Sequence, residues 1–136
     1  MWWFDKGKRR EIWDEDVPSP IGDIEAAHRI RGICRAAADS AEKTSGADNP
    51  KHTSKNENKK SRRDEHEADR YERAARVAME IAIKISDELL RDSSVRQIVD
   101  LCMKANDLRT ARILFRAIQA PSIKEDVLND HPNLRQ

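Results

Sequence analysis

Apolar residues return at helical spacing along most of this chain, and polar or Pro-containing gaps separate the stretches. The longest uninterrupted stretch runs from Asp64 to Arg91 and contains no Gly or Pro. It predicts one helix of about seven turns. Its start is acidic, with Asp64, Glu65, Glu67, Asp69 and Glu72. That sign is favoured where free N–H groups carry partial positive charge. Further along, Val77, Ala78, Met79, Ile81, Ala82, Ile83 and Ile85 cover most of the circumference. A helix that is apolar nearly all round must be covered on several sides, so the other helices are expected to pack around it. Asp69–Arg73, Glu72–Arg76, Glu80–Lys84 and Asp87–Arg91 are acid-first i,i+4 pairs. Such pairs support a helix by a few tenths of a kcal/mol each.

Before this axis, Ser19 is a suitable cap and Pro20 suits a first helical position. The helix they open is expected to reach about Thr44, with Gly46 just beyond. Its apolar stripe is Ile24, Ala27, Ile30, Ile33, Cys34, Ala37 and Ala41, and the alanines allow close backbone approach. His28, Arg31 and Arg35 fall on a neighbouring face. After the axis, Asp92-Ser93-Ser94 reads as a break, and Ser94 with Gln97 has capping-box spacing. Val95, Ile98, Val99, Cys102 and Met103 then form one apolar side. Asn106-Asp107 predicts a corner, and Leu108, Ala111, Leu114, Phe115 and Ile118 form the stripe of the next helix. Pro121 ends it, and Ser122 with Glu125 opens a short last helix through about Asp130. Val95, Ile98, Asn106-Asp107-Leu108, Ala111 and Phe115 together resemble one tetratricopeptide-type helical hairpin. The pattern occurs once and implies a helical hairpin there.

The expected fold is all-α. It is a small bundle of three to four main helices plus a short C-terminal helix, built around a long central helix. Two segments stand apart. Residues 1–18 form an extended arm, and residues 19–136 form one helical domain with a flexible polar loop at 45–63. The arm holds all three tryptophans, Trp2, Trp3 and Trp13, together with Phe4 and the basic Lys6, Lys8, Arg9 and Arg10. It could fold back on the bundle, dock on another chain through its aromatics, or touch a membrane surface. The loop carries Lys51, Lys55, Lys59, Lys60, Arg62 and Arg63, with Ala47 as its one apolar residue. Such a stretch buries too little surface to offset chain entropy.

Composition narrows the picture. Charged residues make up 38% of the chain against about 25% in ordinary domains, so the core is thin. The net charge of +1 gives no global attraction to nucleic acid or anionic lipid. No secretory signal is expected, since Met1 to Phe4 is too short an apolar run, and no stretch approaches membrane-spanning length. A cytoplasmic location is expected, with Cys34 and Cys102 as buried free thiols.

Catalytic patterns are weak. Glu25-Ala-Ala-His28 has the Glu-x-x-His spacing of di-metal bundles, which need two copies and two further Glu. Asp64 to Glu67 is rich in potential ligands, but adjacent helical residues point in different directions. The glycines are isolated, so no phosphate loop is formed. No catalytic residue, cofactor or metal is assigned. Arg109, Arg112 and Arg116 share one helical face, and their planar donors suit carboxylates or phosphates. That face reads as a solvated surface, an acidic-protein contact or a DNA-reading helix. The expected function is a non-catalytic adaptor or regulator that binds another protein or its own copy. Trp2, Trp3, Phe4, Trp13, Arg109, Arg112 and Arg116 are the candidate contacts. The alternative is a nucleic-acid-binding accessory protein that uses Lys51, Lys55, Lys59, Lys60, Arg62 and Arg63 with the arginine face.

Overall fold

The structure, a computed structural model, describes residues 11–46 and 57–135, and side chains from residue 65 onward in the second span. Five α-helices form among the described residues. They are α1 (Asp23–Gly46), α2 (Glu57–Ala82), α3 (Glu88–Lys104), α4 (Leu108–Ala117) and α5 (Pro121–Asp130). Short 3-10 turns precede α1 at Ile12–Asp14 and follow α5 at Pro132–Leu134. No strand occurs among the described residues. The all-α bundle expected from the periodicity is therefore present.

Packing follows from where the small residues fall. On α1 the buried stripe is Ala26, Ile30, Ile33, Ala37 and Ala41, with Ser40 also fully buried. On α2 it is Tyr71, Ala74, Ala75, Ala78, Ile81 and Ala82. Alanine on both sides lets the backbones approach, and α1 packs along α2 and α3. Val95, Ile98, Val99, Leu101 and Cys102 of α3 complete the centre. Helix α4 packs on the far side of α3, and α5 touches α3.

Several boundaries differ from the sequence reading. The expected helix from Asp64 to Arg91 is broken between Ala82 and Glu88. The bonds from Lys84 N–H to the Ile81 carbonyl (3.0 Å) and from Ile85 N–H to that of Ala82 (3.1 Å) tighten the last turn. The Asp23 carboxylate then accepts from Ser86 N–H and Asp87 N–H, both at 2.9 Å. Asp87 in turn caps α3 by accepting from Leu90 N–H at 2.8 Å. These bonds satisfy a corner whose one local mark is the Asp87 cap. Ile85 is buried in the corner, whereas Ile83 is 70% exposed, so the apolar run is not covered on every side.

Asp92-Ser93-Ser94 is not a break either, since all three lie inside α3. Asp92 is 1% exposed and accepts from Gln119 N–H (3.1 Å) and Ala120 N–H (2.8 Å). Its side chain thus ties down the corner between α4 and α5. Pro121 begins α5 rather than merely ending α4, with Ala120 as the cap in place of Ser122. The first helix starts at Asp23, three residues after Pro20, and this leaves Ile24 on its outer side, 73% exposed. The Asn106-Asp107 corner stands as expected. Asn106 takes φ 59° and Asp107 accepts from Thr110 N–H at 3.2 Å.

Of the expected loop at 45–63, Ser45 and Gly46 belong to α1 and residues 57–63 to α2. Lys59, Lys60, Arg62 and Arg63 are therefore helical, while Lys51 and Lys55 lie outside the described residues. Neither Asp69–Arg73 nor Glu72–Arg76 closes as an ion pair among the described residues, and Arg73 turns to Asp14 instead.

Candidate interaction surfaces

The arm residues that the structure describes are tied to the bundle. Trp13 is 3% exposed and seated between α1 and α2. Its ring lies under the Arg70 guanidinium, 5.2 Å from carbon to ring centroid. Arg70 presents its fork to Glu11, with Nε to Oε1 at 2.9 Å and Nη2 to Oε2 at 3.0 Å. Its third nitrogen, Nη1, donates to the buried Ser40 hydroxyl at 2.6 Å. Arg73 reaches Asp14 at 2.6 Å, and Arg29 donates to the Asp16 carbonyl at 3.1 Å. The sidechain of Ile12 lies against Gly32, where a Cβ would come within 3.1 Å of its tip. A cavity of about 50 Å³ remains beneath Trp13. Trp13 is thus a core residue in this chain, whereas Trp2, Trp3 and Phe4 lie outside the described residues.

Helix α4 is organised differently. Ala111, Leu114 and Ile118 face α3, and Leu108 and Phe115 are half-buried beside them. The opposite side carries Arg109, Arg112, Ile113 and Arg116, positions that share a helical face. Arg109 and Arg116 are exposed, and Ile113 is 58% exposed between them. None of the three arginines has an ion pair among the described residues. Arg112 is half-buried, and its Nε finds no acceptor among them. Lys124 of α5 stands over the Phe115 ring at 5.7 Å, beside the α3-facing side. The three arginines are therefore together, as their spacing indicates, and none of them bonds the described arm residues 11–18.

Titratable groups inside the bundle serve structure. The Tyr71 hydroxyl donates to Asp107 at 2.7 Å, and burial pushes its pKa upward. This bond joins α2 to the α3–α4 corner. Burial also pushes the Cys34 thiol up to about 12 and Cys102 to about 11. Both remain protonated at neutral pH, the slowly reacting form. Glu25 and His28 are both exposed on α1. Among the described residues, no three His, Cys, Asp or Glu side chains gather as a metal site. No helix among them is long and apolar enough to cross a membrane.

A second concave feature lies between α1 and α3. It is an open trough of about 400 Å³ with Cys34, Ala38 and Leu101 at its base and Arg31, Arg35 and Lys104 on its walls. Sequence reading placed Arg31 and Arg35 on one face of α1 but missed Lys104, which reaches them only across the helix pair. No protein-family model, curated protein or solved structure matches this chain.

Proposed function

We propose that this protein is a non-catalytic adaptor or regulator of the cytoplasm that binds an acidic protein surface through α4. The observation that supports the reading is the outer face of α4, where three arginines without an ion pair among the described residues surround an exposed isoleucine. Arginine presents a planar fork to carboxylates, and the apolar Ile113 supplies a centre that excludes water. An apolar centre with a polar rim is the usual anatomy of a protein interface. The partner is another protein or a second copy of the chain.

A second reading, a nucleic-acid-binding accessory role, is favoured by one feature. The two helices α3 and α4 are joined by Ala105–Asp107 with Asn106 in the left-handed conformation, a compact turn of the helix-turn-helix kind. In that reading α4 enters the major groove, and the cations at Lys59, Lys60, Arg62 and Arg63 add phosphate contacts.

The test compares the parent chain with R109Q/R112Q/R116Q. The parent captures its partner from the native cell at moderate salt, and the triple variant does not. Titration across salt separates the readings. Phosphate contacts give a steep slope that becomes shallower by roughly one unit per lost arginine. Duplex DNA binds in that case alone.

A further inference from the structure

We propose that the trough between α1 and α3 is a docking site for an acidic amphipathic helix of another protein, separate from the α4 face. Charge is the first argument. Arg31 and Arg35 lie one turn apart on α1, and Lys104 faces them from α3. All three are exposed, and none has an ion pair among the described residues. One acid also lines the trough, Asp100, whose Oδ1 stands 2.8 Å from His131 Nε2, so three cations against one carboxylate leave the lining with an excess of positive charge. Three cations around one concavity focus positive potential into it, and an anionic occupant relieves their mutual repulsion.

Shape and lining are the second argument. The base of the trough is apolar, formed by Cys34, Ala38 and Leu101. Side chains at i and i+4 on a helix stand about 5–6 Å apart. Glutamates at that spacing on an incoming helix can therefore meet Arg31 and Arg35 together, while small apolar residues between them cover Cys34 and Leu101. This is helix-in-groove recognition with a charged rim. A single-stranded nucleic acid fits less well, because no aromatic ring among the described residues lines the trough for a base to stack on.

Cys34 reports occupancy. It is half-buried in the trough, whereas Cys102 is fully buried, so slow labelling by excess thiol reagent at mildly alkaline pH, where more thiolate forms, reads Cys34. The experiment titrates the full chain with a labelled helical peptide of Ala, Leu and Glu, with its Glu at i,i+4, and with its Lys-for-Glu counterpart. The Glu peptide binds and slows Cys34 labelling severalfold, whereas the Lys peptide does neither. Reversing both α1 cations, Arg31→Glu with Arg35→Glu, weakens binding by roughly tenfold or more. Lys104→Glu, on the other wall, weakens it independently. R109Q/R112Q/R116Q leaves it unchanged. The proposal is overturned by equal binding of the two peptides, by unaltered Cys34 labelling at saturation, or by loss of binding in the α4 variant alone. It is also overturned if duplex DNA, or a second copy of the chain at high concentration, protects Cys34 with the same sensitivity to charge reversal while the Glu peptide does not.

Discussion

The α2 face beneath the arm and the outer face of α4 use the same residue in opposite ways. On α2, Arg70 and Arg73 are consumed by the fold, with Glu11, Ser40 and Asp14 as their partners. On α4, Arg109, Arg112 and Arg116 have no acid to meet among the described residues. Arginine spacing alone does not separate a structural cation from an available one. What separates them is an acid brought in by another part of the chain, here from 59 residues away.

The largest effect that can break this comparison belongs to Trp13. If the arm is part of the folded body, Trp13→Ala lowers the free energy of unfolding by about 3–5 kcal/mol, measured by urea denaturation. A loss below about 1 kcal/mol would make the arm peripheral and leave Arg70 without a structural task.

Arg70 comes next. Arg70→Met removes the fork from Glu11 and the donor to buried Ser40, and costs about 1–3 kcal/mol because those acceptors lose their partner. A double-mutant cycle with Glu11→Ala should show coupling above about 0.5 kcal/mol. The same cycle between any α4 arginine and an acid of this chain should show none.

Asp23 gives a smaller effect with a distinctive pH dependence. The N–H groups of Ser86 and Asp87, in that order of influence, hold its carboxyl below the ordinary value of 3.8. A folded-state pKa below the unfolded one stabilises the protein at higher pH, and the gain is lost as pH falls through the folded value. Asp23→Asn therefore lowers the urea midpoint at about pH 7, and the deficit narrows when both proteins are compared at about pH 2.5. A deficit that stays constant with pH would show that the carboxylate charge does not hold the α2–α3 corner.

These residues also mark what could be read from the chain. The helices announced themselves through apolar periodicity, and the Asn106-Asp107 corner through local chemistry, since both residues suit a tight turn and a cap. The corner at 83–87 was missed because its N–H groups are satisfied by Asp23, 63 residues earlier. Asp92-Ser93-Ser94 misled for the complementary reason. Polar residues inside a helix resemble a stop until a buried acceptor finds distant donors, as Asp92 does at Gln119 and Ala120. The candidate site was legible as a shared face of α4, because that is a property of spacing. Its lack of ion-pair partners among the described residues was not, and neither was Trp13 as core, nor Lys104 opposite Arg31 and Arg35.

The most direct test of the central claim is a titration of the partner captured by the parent chain against R109Q/R112Q/R116Q, with thermal unfolding followed on the same samples. Glutamine is a good helix former and these arginines make no ion pair among the described residues, so unfolding should shift by no more than about 0.5 kcal/mol. Partner affinity should fall by roughly tenfold or more. Unchanged affinity would contradict the account and leave the α4 arginines as a solvated surface. A large loss of stability would contradict it from the other side, placing those arginines with Arg70 among the residues that hold the fold.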